Sequence, residues 1–320
     1  MRLVMINDCS YVGLTILKYM PNNVDWHYIV RSRGFMDKTL GITYRILRAR
    51  GDVYHVNYLL QDAYIAIKLG KGPLLAHAHG SDLRNTMNKR FMGRIVKYVL
   101  KHADKIVVST PDILGIAKDY RADAMYIPNP VDTQIFYPPR GNTGKTGIEK
   151  DRLRVLIASN SDWNVKGTDI AVKALSRIKD RVDVFIIKYG RDLDRTIKLA
   201  KSLGLKVHLL DKAPHDLVRE YYWMSDVVID RFKLGSLGMV SLEAIASGRP
   251  VVTYVSSDFE EYRDFPLKDV NTEEEIAEAI ENADFGLWKR EYEYVMKYHE
   301  PLRVSGLFLK LYRELLSESK

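Results

Sequence analysis

The run Gly235-Ser236-Leu237-Gly238-Met-Val-Ser-Leu-Glu243-Ala-Ile-Ala-Ser-Gly248-Arg-Pro250-Val-Val joins a glycine loop, a short helical pattern carrying one acid, and a buried-strand pattern without a gap. That order builds an anion site. Backbone N–H groups at the opening of a helix point at whatever lies in front of them, and the helix dipole favours negative charge there. A phosphate is the expected guest. Glu243 falls about one turn into the helix, where its carboxylate can accept hydrogen bonds from sugar hydroxyls attached to that phosphate, as an acid holds ribose in dinucleotide folds. The segment reads as a nucleotide-sugar site, with Ser236, Leu237 and Gly238 offering backbone groups and Glu243 the sugar-side acid.

Such a site needs a scaffold, and the rest of the chain has the rhythm of one. Short β-branched or aromatic runs at 3–6, 26–30, 53–56, 74–77, 106–109 and 125–127 alternate with longer helix-compatible segments. Runs that are apolar on both faces and separated by helices favour a parallel sheet covered on both sides. The Pro/Gly/polar stretch Pro138-Pro-Arg-Gly-Asn-Thr-Gly-Lys-Thr-Gly147 reads as a linker. After it the rhythm restarts, with runs at 154–158, 182–187, 206–210, 226–230 and 250–254 and helical patterns over about 273–282 and 301–316. The expected fold class is α/β with two Rossmann-like domains: 1–138, a linker at 139–150, 151–300, and a terminal helix over 301–320. Gly144-Lys145-Thr146 ends like a P-loop, but the leading glycine position of that motif is Pro139 and no strand runs into it.

Composition narrows the class. The 320 residues are 46% hydrophobic and 28% charged, as in a globular protein with two cores. No apolar run approaches the roughly 18 residues of a membrane span. The opening Met1-Arg-Leu-Val-Met-Ile6 enters a strand pattern directly, without the layout of a secretory signal, so a cytosolic location is expected. The single Cys9 has no partner for an internal disulfide and reads as a packing residue; no Cys/His spacing suggests zinc. The net charge of +8 is uneven: residues 1–140 hold 20 Lys+Arg against 11 Asp and no Glu, a net of +9 that leaves −1 for the remainder. An anionic surface or ligand facing the first half follows.

Five motifs then make a specific resemblance. Leu75-Ala-His-Ala-His79-Gly80-Ser-Asp82, Ala103-Asp-Lys-Ile-Val-Val-Ser109, Ile127-Pro-Asn129-Pro-Val-Asp132-Thr-Gln-Ile-Phe136-Tyr-Pro138, Lys166-Gly167-Thr-Asp and the 235–252 segment occur in this order. Together the chain resembles a retaining glycosyltransferase of family 4, with the GT-B fold. The resemblance implies two Rossmann-like domains facing a central cleft, donor nucleotide held mainly by the second, acceptor by the first, and a last helix that crosses back to the first. Carried over by position, His79 and Lys166 become the catalytic pair: Lys166 contacts the donor phosphates and His79 lies near the donor sugar. Glu243 binds the ribose, Gly13 lies in the loop under the phosphates, and Gly167 follows the phosphate lysine. The base is expected to meet backbone groups near His208 to Leu210, Leu209 among them. A cation and fixed amides suffice to stabilise a leaving diphosphate, so no metal and no further cofactor is expected.

Two departures stand beside the matches. The family's sugar-side Glu, eight positions before Glu243, is Gly235 here, and its Arg, five before Lys166, is Ser161. Arg231 or Lys188 are the candidates for the missing cation. Competing readings are a nucleotide-binding pseudoenzyme and a nucleotide-sugar epimerase on the same fold.

Arg90, Arg94, Lys97 and Lys101 recur at helical spacing and form one stripe, with Phe91, Met92, Ile95, Val96, Val99 and Leu100 expected on the opposite side. With Arg31, Arg33, Arg45, Arg48 and Arg50 in the same half, the stripe suggests an anionic membrane surface and a glycan or lipid-linked acceptor at the inner face of the cell membrane. No nucleic-acid motif is present, and the basic residues are spread through the βα units, so nucleic acid is not an expected partner.

Overall fold

The computed structural model describes residues 1–31, 34, 37–140 and 152–318, without the side chains at 38 and 39. Arg33, most of the linker and Gly144-Lys145-Thr146 lie outside the described residues. Contacts divide the chain into two units, Met1–Pro130 with Glu300–Lys320, and Val131–His299.

The first unit runs β1 (Arg2–Ile6), α1 (Val12–Lys18), β2 (Asp25–Ile29), α2 (Ile42–Arg48), β3 (Val53–Asn57), α3 (Gln61–Lys68), β4 (Leu74–Ala78), α4 (Met92–His102), β5 (Lys105–Val108), α5 (Leu114–Lys118) and β6 (Met125–Tyr126). The strands form one parallel sheet in the order β2-β1-β3-β4-β5-β6. Strand β3 shows why both faces must be covered. Its alternate residues Tyr54 and Val56 join the core under α2, α3 and α4, where Ile42, Ile46, Ala63, Val96 and Val99 pack. His55 and Asn57 point to the other face and are equally buried.

The second unit runs β7 (Leu153–Ile157), α6 (Thr168–Arg177), β8 (Val182–Ile187), α7 (Leu193–Ser202), β9 (Val207–Leu210), α8 (Val218–Met224), β10 (Val227–Ile229), α9 (Met239–Ala246), β11 (Val251–Val252), α10 (Glu273–Glu281) and α11 (Phe285–Tyr298). Its parallel sheet has the order β11-β10-β7-β8-β9. Valines and isoleucines of β7, β8 and β10 point alternately into two cores, one beneath α6 and α10, the other beneath α8, α9 and α11. Helix α10 starts on a full capping box, Thr272 accepting from Glu275 N–H while Glu275 accepts from Thr272 N–H.

The last helix, α12 (Pro301–Glu318), belongs to the first unit, as the family resemblance implies. It packs on α1 and β3, and Ser305 Oγ donates to Ile16 O over 3.2 Å. Its buried side is Val304, Phe308, Leu311, Tyr312 and Leu315.

The boundary between the units falls at Pro130 rather than Pro138. The intervening residues are held by the second unit: Val131 N–H bonds to His299 O, Arg219 donates to Ile135 O and Trp223 Nε1 to Tyr137 O, while Val131 and Phe136 enter its core. The linker expected over 139–150 lies outside the described residues except for Pro139 and Arg140.

The stripe Arg90, Arg94, Lys97 and Lys101 is exposed along α4, and Val96, Val99 and Leu100 are buried as expected. Phe91 is not: it precedes the helix and is 71% exposed, on the basic side. No helix among the described residues is long and apolar enough to cross a membrane.

Candidate active site

In the second unit the loop after β7 delivers Lys166. Asp162 shapes that loop, its Oδ1 accepting from the N–H groups of Asn164 and Val165, and its carbonyl from those of Lys166 and Gly167. Gly167 sits at φ +68, a left-handed conformation that glycine adopts without strain, and opens α6. The Lys166 ammonium thereby reaches Asp230, just beyond β10, with Nζ 2.9 Å from Oδ1. Burial, reinforced by Arg231 and opposed by Asp230, lowers the Lys166 amine to about 8. Burial alone would raise the Asp230 carboxyl; Lys166 and Arg231 outweigh it and hold the group well below the usual carboxylate range.

Helix α9 begins beside this pair. Its first intrahelical bond runs from Leu242 N–H to Gly238 O, so the amides of 238–241 precede the ladder and face forward. The Leu237 amide, expected to be among the open ones, donates instead to Tyr262 Oη over 3.2 Å. Ser236 is fully buried. Gly238 has no room for a side chain: a Cβ would lie 2.2 Å from both Asp230 Oδ2 and Arg231 Nη2. The cations thus press against the backbone where the free amides start.

Glu243 is one turn further on and largely buried. Its Oε1 lies 2.9 Å from His215 Nε2, and its Oε2 accepts from Tyr222 Oη at 3.0 Å. Burial and the adjacent carboxylate push the Tyr222 hydroxyl well above its usual range, so it remains a donor. A carboxylate has roughly four acceptor positions, so two protein donors leave room for hydroxyls of a ligand.

The two departures have structural reasons. Gly235 is at φ +62, and a Cβ there would fall 2.9 Å from Ser256 Cβ, so no glutamate fits. Ser161 is fully buried, its backbone bonded to Tyr189 O and Asp192 N–H, with Gly190 pressed against it. Of the two candidate substitutes, Arg231 joins the Lys166–Asp230 pair, with Nε 3.4 Å from Asp230 Oδ2, whereas Lys188 pairs with Asp211 at 2.5 Å. Leu209 lies on the edge strand β9 and is 42% exposed.

In the first unit, His79 follows β4, and Asp82 fixes its loop by accepting from Gly80, Leu83 and Leu59 N–H groups. His79 Nε2 is 2.8 Å from Asn57 Oδ1. The Asn57 amide is oriented by its own donation to Asn7 O at 2.9 Å, so the oxygen faces the imidazole and Nε2 carries the proton. Burial lowers His79 to about 3, which leaves a neutral ring with Nδ1 as an acceptor. Behind it His77 and His55 continue inward, the His77 ring tilted 39° to that of His79 with centroids 4.2 Å apart, and His55 bonded to Tyr312 Oη at 2.6 Å. Gly13 packs on Asn57 and Asp8, and its amide donates to Asp8 Oδ1 at 2.7 Å. The carboxylate of Asp8 therefore occupies the start of α1. Cys9 accepts from Tyr58 Oη, and burial pushes its thiol up to about 11, consistent with packing.

Asp230, Ser241, Tyr222, His215, Asn57 and Asp8 were not foreseen from sequence. Only Asp230 left a trace, as an acid closing an apolar strand run.

The profile described as "Glycosyl transferases group 1" matches residues 142–283, and "Glycosyltransferase Family 4" matches residues 23–135. The chain belongs to glycosyltransferase family 4. Among curated relatives, N-acetyl-alpha-D-glucosaminyl L-malate synthase of Bacillus anthracis is 22% identical over 213 residues, 63% of this chain and 56% of that protein. The chain spans about half the length of the curated relatives it matches first. Among solved structures, sucrose-phosphate synthase of Thermosynechococcus elongatus superposes with a TM-score of 0.78 at 16% identity, covering 99% of this chain and 100% of the other. Anabaena Alr3699/HepE, solved with UDP and glucose, gives 0.75 at 14% identity, covering 98% and 100%. The fold of this family-4 chain is GT-B.

Proposed function

We propose that this protein transfers a sugar from a nucleoside-diphosphate donor to an acceptor, with retention of anomeric configuration and without a metal. The observation that carries the reading is the convergence of Lys166, Arg231 and the free amides of α9, with Glu243 one turn beyond. Departure of the sugar concentrates negative charge on the diphosphate. Two cations and a helix N-terminus would stabilise that charge more in the transition state than in the bound donor. Glu243, steadied by Tyr222 and His215, would accept the ribose hydroxyls. Neutral His79 would accept a hydrogen bond from a sugar hydroxyl through Nδ1. The solved complexes of Anabaena HepE with UDP and UDP-glucose support a nucleotide-sugar donor.

The acceptor is proposed to be a glycan or a lipid-linked molecule, met by a cytosolic enzyme resting on the inner face of the membrane. The outer helix layer of the first unit supports this: α2 packs on α3 and α3 on α4. On that layer α4 shows Arg94, Lys97 and Lys101, flanked by Arg90 and Phe91, while Leu40, Tyr44 and Leu47 are exposed along the α2 segment. Cations beside exposed apolar groups suit an anionic bilayer.

Gly235 favours a second reading, nucleotide binding without transfer, because the sugar-side acid is absent. The deciding experiment is to incubate the protein with UDP-, GDP-, ADP- and dTDP-sugars and membrane extract, and to follow nucleoside diphosphate release. Acceptor-dependent release from one donor supports transfer; tight binding with no release from any donor supports the second reading.

A further inference from the structure

Asp230 is the one group that touches every part of the phosphate-facing arrangement. Its side chain is fully buried, with Lys166 Nζ 2.9 Å from Oδ1, Ser241 Oγ donating to Oδ2 at 2.8 Å, and Arg231 Nε 3.4 Å from Oδ2. We infer that Asp230 is a positioning residue that clamps Lys166 and Arg231 side by side at the mouth of α9, so that Arg231 takes the place of the cation that position 161 lacks. The inference rests on the donor-site reading above.

Three observations carry it. The charges of Lys166 and Arg231 oppose one another, and in a buried setting an anion between them is what lets both stay charged. Ser241 belongs to α9 itself, so the carboxylate, the helix start and the two cations are tied into one unit. Among the described residues the buried Arg231 Nε–H has no hydrogen-bond partner, despite its proximity to Asp230. Leaving such a donor unmade is costly, and a phosphate oxygen would satisfy it. Asp162, the other carboxylate near Lys166, is paired with Arg191 at 2.9 Å, so Asp230 against Lys166 and Arg231 leaves a net positive charge for a diphosphate to neutralise.

The groups that face Lys166 are Asp162 from its own loop and Asp230 and Arg231 from the end of β10, with the Tyr189 hydroxyl beyond Asp230. Asp230 raises the Lys166 amine and Arg231 lowers it, so removing each has an opposite effect. The test is an NMR titration of 13C-lysine-labelled full-length protein, with calorimetry using UDP and uridine. Wild type should show the Lys166 midpoint near pH 8. Asp230→Asn should lower it by about one unit, and Arg231→Gln should raise it. At pH 7, Asp230→Asn should bind UDP about tenfold more weakly and uridine unchanged. Should Asp230→Asn not fold, Arg231→Gln decides alone, through an upward midpoint and weaker UDP binding. A Lys166 midpoint that moves in neither variant overturns the clamp. Shifts as expected in the variants, combined with calorimetry in which wild type binds none of UDP, ADP or GDP, overturn the donor-site reading instead.

Discussion

His79 Nε2 and Asn57 Oδ1 are 2.8 Å apart, and because the asparagine oxygen only accepts, this contact fixes the imidazole tautomer. With burial lowering the ring to about 3, His79 is an acceptor at Nδ1 and not a proton donor at physiological pH. The 15N shifts of His79 are therefore expected to report one neutral tautomer from pH 5 to 8, and Asn57→Leu to mix the two tautomers. A titration of His79 near its ordinary value of 6.5 would remove it from this role.

His55, His77 and His79 form one row, the first two buried and His79 half-buried, and desolvation holds the rings neutral, His55 and His79 down to about 3 and His77 well below its usual range. Unfolding releases each to titrate near 6.5, so the unfolded chain binds more protons than the native one between those values. Stability contributed this way is present above about pH 6.5 and is lost as pH falls toward 3, with a slope approaching about three protons. Urea midpoints measured from pH 7 to 4 should fall accordingly, and a triple replacement of the row should flatten the slope even if it lowers stability.

Much of the scaffold was legible because its strands are buried on both faces and so read as continuous apolar runs. The Glu243 helix was equally plain, since glycine, acid and strand are contiguous. What spacing could not show is which distant group each site residue meets. His215 and Tyr222 reach Glu243 from 28 and 21 residues away, and Asn57 reaches His79 from 22. Gly235 was visible as a departure, but its left-handed backbone was not. Extending the helical periodicity to Phe91 puts it on the apolar side, but it lies one residue before α4, where the periodicity no longer governs direction.

Gly238 is a sharp test of the phosphate-facing geometry. A methyl group there would collide with Asp230 Oδ2 and Arg231 Nη2, each 2.2 Å away. Gly238→Ala is expected to displace the cations and weaken binding of UDP or its counterpart by at least about tenfold, while far-ultraviolet circular dichroism stays unchanged. Equal affinity would mean that these cations do not contact the diphosphate.

The proposed membrane docking has separable charge and apolar parts. Replacing Arg90, Arg94, Lys97 and Lys101 by Ser should reduce flotation with phosphatidylserine vesicles, at about 1 kcal/mol per basic residue, and leave nucleotide binding intact. Replacing Leu40, Tyr44 and Leu47 by Ser should reduce the flotation that survives at high salt. Flotation unaffected by both sets of changes would mark the layer as an ordinary solvated surface.

Glu243 and the cations around α9 are proposed to form a nucleotide-sugar donor site. Calorimetry with UDP-, GDP-, ADP- and dTDP-sugars, first without metal and then with magnesium, tests it directly, using wild type and Glu243→Ala. Selective, metal-independent binding of donors with one base, weakened at least about tenfold by Glu243→Ala, is the expected result. Binding of none of them, or equal binding by wild type and variant, would contradict the account.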